Sequence, residues 1–150
     1  MSTAGLIYPY AMFDNSNCVA DFMVEQVELI TSVIDLSAYT EVFLQFNHYW
    51  RKYFSYTVNV LVSNDNGVTW TNVKNIAATT TVPLCIDISA TAAGFAQVLV
   101  KFQFNGNWCY YWIIDNVRIT TSGKPWTLAG TYVSSSNSGT VVTCKRSGLS

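Results

Sequence analysis

The chain has 150 residues, of which 50% are hydrophobic, 15% aromatic and only 11% charged, with a net charge of -1. A chain of this size buries about 70% of its unfolded surface, and a composition so rich in aromatics excludes intrinsic disorder. The near-neutral charge offers nucleic acid no basic platform, and no run approaches the roughly 18 consecutive apolar residues of a membrane-spanning helix.

The first ten residues carry neither the basic nor the long apolar segment of a secretory signal. From Glu41 to Trp50 the side chains alternate, with Val42, Leu44, Phe46, His48 and Trp50 on one face and Glu41, Gln45 and Asn47 on the other. The next run places Tyr56, Val58, Val60 and Val62 against Thr57, Asn59 and Ser63. A third sets Val98, Val100, Phe102 and Phe104 against Gln97, Lys101 and Gln103. Period-two alternation predicts half-buried strands. Further strands are predicted at 27–34, 68–73, 82–88 and 110–119, and no window shows a 3.6-residue period. Seven or so short strands separated by turns predict an all-β, two-sheet antiparallel sandwich over residues 1–120. Two corners echo each other, Ile34-Asp35-Leu36-Ser37 and Ile86-Asp87-Ile88-Ser89. In each, the acid and the serine are expected to bond nearby backbone amides. Beyond Thr120 the composition becomes small and polar, so 121–150 reads as a C-terminal hairpin around Asn137-Ser138-Gly139 or as the start of a further module.

The sharpest local motif is Ser63-Asn64-Asp65-Asn66-Gly67-Val68-Thr69-Trp70, which matches the Asp-box pattern S-x-D-x-G-x-T-W at every specified position. It predicts a structural turn in which Gly67 supplies a positive φ, Asp65 accepts turn amides and Trp70 packs over the corner. Cys18, Cys85, Cys109 and Cys144 are widely spaced and form no zinc-like pair. They predict one or two disulfides, with three full connectivities open.

Aromatics cluster at Tyr49, Trp50, Tyr53, Phe54 and Tyr56, and again at Trp108, Tyr110, Tyr111 and Trp112. Trp108, Tyr110 and Trp112, with Tyr53 and Arg51, are the candidate ligand-binding residues. A strand would aim the first three one way, as a platform for sugar rings or a protein partner. His48 shares its face with Leu44, Phe46 and Trp50 and reads as a packed histidine. No nucleophile motif accompanies it, so no catalytic residue is assigned.

Four ordered blocks, 29–37, 42–49, the turn ending at Trp70, and 111–119, give the span from Phe13 to Thr120 a resemblance to a known family. It resembles the MAM-like jelly-roll modules of secreted proteins, including choice-of-anchor and cleaved-adhesin types. That resemblance implies a galactose-binding-like sandwich, secreted or on the cell surface. Its implied work is non-catalytic adhesion to glycan or protein partners. It also implies a structural calcium, for which Asp14, Asn15 and Asp115 are the corresponding positions, with oxygen donors suited to that ion. The leading strand before Phe13 is short by comparison and the proline expected near Val33 is missing. The first departure, with the low charge, motivates a second expectation: a self-assembling subunit, completed by another copy or an adjacent module.

Overall fold

A computed structural model describes residues 10–14, 25–52, 57–106 and 111–121, and the backbone of two short strands at 133–134 and 137–138. Eight main strands form two four-stranded antiparallel sheets. The first sheet has the order β1-β8-β3-β6, built from β1 (Ala11–Asp14), β8 (Tyr111–Thr121), β3 (Val42–Arg51) and β6 (Leu84–Asp87). The second has the order β2-β7-β4-β5, built from β2 (Glu25–Ile30), β7 (Leu99–Gly106), β4 (Thr57–Ser63) and β5 (Thr71–Ile76). Consecutive strands mostly lie in different sheets, so the connections cross the edges and ends of the sandwich.

Alternation decides which side chains meet in the middle. Val42, Leu44, Phe46 and Trp50 of β3, Val58, Val60 and Val62 of β4, and Val100, Phe102 and Phe104 of β7 are all buried in one core. This is the set that period two assigns to a single face. Aromatic rings knit the layers: Phe46 meets Phe102 edge-on at 5.1 Å, and Phe13 stacks on Phe104 at 6.0 Å. Edge-to-face and offset contacts of this kind add about 0.5–1.5 kcal/mol each beyond the area they bury.

Strand ends shift where local turn chemistry competes. The predicted strand at 68–73 begins at Thr71, because Asn64 to Trp70 are taken up by the Asp-box turn, and that at 27–34 stops at Ile30, with one isolated bridge from Ile34 to Val98. The matching corners form as the residue types suggest. Asp35 Oδ1 accepts the Ser37 amide at 3.0 Å, and Asp87 Oδ1 accepts the Ser89 amide at 3.0 Å. A single helical turn, α1 (Ser89–Ala92), which periodicity did not reveal, follows the second corner. At four residues it is too short for a period to show.

The C-terminal hairpin pairs β9 (Val133–Ser134) with β10 (Asn137–Ser138). Asn137 and Ser138 are thus strand residues paired with Ser134 and Val133. The remainder of 122–150 lies outside the described residues.

Candidate ligand-binding surfaces

One end of the sandwich gathers the strand termini that flank the aromatic segments. Asp14 and Arg51 both pair with Tyr111, so β1 and β3 end where β8 begins. Three of the candidate ligand-binding residues, Tyr53, Trp108 and Tyr110, lie outside the described residues, as does Asn15. The fourth, Trp112, requires a correction. It is fully buried, pairs with Trp50 across β3 and β8, and packs on Phe13 and Phe102. Inward parity on β8 makes it core, and no ligand can stack on it. Trp50 is likewise fully buried, and among the described residues neither indole nitrogen has a hydrogen-bond partner, so both rings serve as packing volume.

Opposite parity brings other residues to the outer face. Tyr49 and Tyr111, both half-buried, meet edge-to-face with ring centroids 5.4 Å apart. A hydrogen bond with Tyr111, then desolvation, push the Tyr49 phenol above its ordinary value, while the nearby charge of Arg51 opposes the shift. Arg51 is half-buried and directly opposite Tyr111 in the ladder. The outward aromatic surface at this end is thus carried, among the described residues, by tyrosines whose position one residue off Trp50 and Trp112 points them outward.

The acids proposed for calcium do not share one site. Asp14 pairs with Tyr111, whereas Asp115 pairs with Asn47, four positions further along β8. At ~3.3 Å per residue that is about 13 Å, so one ion with bonds of about 2.3–2.6 Å would be held by one of them rather than both. Asp115 instead supports a local irregularity. Its Oδ1 accepts the Asn116 amide at 2.7 Å, and Asn116 takes a φ of 52° where the β3–β8 register shifts between Gln45 and Asn47. This is a β-bulge with an asparagine in the left-handed region, a residue type that tolerates it. Among the described residues no group of three or more His, Cys, Asp and Glu side chains could hold a metal ion. Cys85, half-buried on β6, is disulfide-bonded, and the other three cysteines fall outside the described residues.

The Asp-box closes as a hydrogen-bonded knot. Asp65 accepts from the Thr69 amide at 2.9 Å, from its hydroxyl, and from Ser63 Oγ at 2.7 Å. These bonds, the Thr69 hydroxyl first, draw the Asp65 carboxyl down to about 2. Gly67 has a φ of +87°, its amide donates to Ser63 Oγ at 2.8 Å, and its carbonyl accepts the Trp70 indole N–H at 3.1 Å. Trp70 is thereby folded onto the outer face of the second sheet, where the Lys101 ammonium sits 4.1 Å from its ring centroid.

That outer face is the feature the sequence did not single out. Register aligns Glu28, Gln103, Asn59 and Asn75 in one row across all four strands. Gln103 Nε2 donates to Glu28 Oε1 at 2.9 Å, and Asn59 Oδ1 accepts from Asn75 at 2.7 Å and from Asn72 at 3.1 Å. Lys101, only 8% exposed, pairs with Glu28 at 3.0 Å. Each strand shows polar residues at alternate positions, but only the cross-strand pairing makes a continuous amide surface of them.

His48 is 2% exposed and packs on Phe46 with centroids 5.6 Å apart. Burial first, then the charge of Lys74, depress its pKa to about 4, against an interaction with the Val82 backbone.

Two stacked antiparallel sheets with these outward faces define a jelly-roll-like sandwich of the galactose-binding-like kind. No family model and no curated protein matches the chain. Among solved structures it is similar to TmCBM61 in complex with beta-1,4-galactotriose, at 12% identity and a TM-score of 0.50, over 77% of this chain and 90% of that one. A structure from "CBM4 structure and function" is 23% identical over 65% of this chain and 73% of that chain, at a TM-score of 0.38. At these identities the likeness concerns the fold.

Proposed function

We propose that the chain is a non-catalytic, extracellular glycan-recognition module whose ligand contacts the end of the sandwich bearing Tyr49, Tyr111 and Arg51. The observation that carries this reading is the outward tyrosine pair beside an arginine, at the strand ends where segments 53–56 and 107–110 join. Aromatic rings take the apolar face of a sugar, while guanidinium and phenol groups reach its hydroxyls. TmCBM61 was solved with a galactotriose, which makes beta-1,4-galacto-oligosaccharides the first ligands to try. Secretion, adhesion and the MAM-like relationship belong to the same proposal.

Isothermal titration of the protein with beta-1,4-galactan and a panel of other glycans tests it. Tyr49→Ala combined with Tyr111→Ala is expected to weaken binding at least tenfold, about 1.4 kcal/mol or more. Unchanged affinity in that variant removes the assigned patch. No binding to any glycan removes the reading.

One observation favours a second reading, a self-assembling structural subunit. Val27 and Leu29 have the inward parity of their partners Phe104 and Phe102, yet are 42% and 38% exposed. They lie on β2, an edge strand whose counterpart at the edge of the other sheet, β1, has only four residues. An uncovered apolar row on an edge strand is a surface on which a second copy can dock.

A further inference from the structure

We infer that the outward face of the β2-β7-β4-β5 sheet is a second, separate binding face, one that takes an uncharged oligosaccharide. The inference rests on the glycan reading above, but on different residues. The middle of this floor is a row of three amides and one carboxylate, and the next outward row, Ile30-Lys101-Leu61-Asn72, adds two apolar side chains and a further amide. The row Glu28-Gln103-Asn59-Asn75 crosses four strands, and Asn72 adjoins it through Asn59. Four strands at ~4.8 Å spacing span about 14 Å, long enough for several sugar rings in line.

The charge on this face is internally cancelled. Its two described ionisable residues are Glu28 and Lys101, and they pair with each other at 3.0 Å. Glu28 also accepts from Gln103 at 2.9 Å and Gln26 at 3.2 Å, so its carboxylate is engaged on several sides. Lys101 is held between that carboxylate and the Trp70 ring, nearly out of solvent. An anionic ligand therefore finds no available cation here, and a cationic one finds no available carboxylate. What remains are amide donors and acceptors at fixed spacing, flanked by the apolar side chains of Ile30 and Leu61. Asn59 commits its Oδ1 to two neighbours, which orients its Nδ2 group as a donor for something outside the network.

At one end of this floor stands the half-buried Trp70 indole, fixed by its bond to the Gly67 carbonyl. A preorganised aromatic wall beside a flat, neutral, hydrogen-bonding floor matches a sugar chain, with C–H faces for the ring and hydroxyls for the amides. Because the amides already bond one another, little side-chain freedom is lost on binding.

Affinity gel electrophoresis with neutral polysaccharides (beta-1,4-galactan, mixed-linkage beta-glucan, arabinoxylan, galactomannan) and with polygalacturonate tests the proposal. The variants are Asn59→Ala with Gln103→Ala, and separately Tyr49→Ala with Tyr111→Ala. The amide pair is chosen because it lies outside the Asp-box knot, and circular dichroism checks that the sandwich is intact. At least one neutral polymer is expected to retard the protein, with the amide variant weakened tenfold or more and polygalacturonate not retarded through this face. Retardation that survives in the amide variant and disappears in the tyrosine variant overturns this inference and leaves the glycan reading standing. Polygalacturonate retardation that the amide variant abolishes overturns the neutral class of ligand. No retardation by any polymer overturns both.

Discussion

His48 is an ionisable side chain enclosed among apolar neighbours, and its consequence is a pH-dependent stability. With a folded pKa of about 4 against an ordinary 6.5, the unfolded chain binds a proton at pH values where the folded chain does not. Its contribution is therefore complete above pH 6.5 and is lost progressively as pH falls towards 4, by roughly 3 kcal/mol across that window. Urea denaturation at pH 7 and pH 4.5 is expected to show this loss, and a His48→Phe variant to show a shallower one. Equal pH dependence in the two proteins would remove His48 as the cause. Sequence parity alone placed His48 inside, since it shares a face with Phe46 and Trp50. The same parity argument, applied to 108–112, put Trp112 on a solvent platform. On β3 the alternation grouped Leu44, Phe46, His48 and Trp50 on the face that is buried, and at Trp112 it was silent about which face meets the other sheet.

At the scale of the element, two local devices end or bend strands. The Asp-box was legible residue by residue, because each specified position has a job in a short segment: an acceptor, a positive-φ glycine and an indole donor. Gly67→Ala is expected to destabilise the fold by about 1–2 kcal/mol, the usual cost of a left-handed non-glycine residue. The new Cβ would also meet Leu99 Cδ1 at 3.3 Å, a contact that has to give. Thermal unfolding with an unchanged midpoint would sink that account. The bulge at Asn116 was not legible. Asp115-Asn116 reads equally well as a strand-end acceptor, and only pairing with β3 shows one strand carrying an extra residue.

For the molecule as a whole, the uncovered inward row on β2 makes a measurable difference between the two readings of function. If a second copy docks there, light scattering after size exclusion is expected to show mass rising with concentration, and Leu29→Lys to return the protein to a monomer. A monomer at all concentrations disposes of the self-assembling subunit.

The sequence by itself determined the class of fold, because alternation is a local property: each strand declares its own apolar face within a handful of residues. It also determined the Asp-box and the paired corners, whose hydrogen bonds close within two to four positions. Tertiary structure alone decided which side chains form a surface together. Register across four strands assembled Glu28, Gln103, Asn59 and Asn75, drawn from distant parts of the chain, into one row. The opposing sheet buried Trp112 and left Tyr111 outside. Both outcomes depend on how strands pair and stack, and non-local pairing is not written in the period of any single strand.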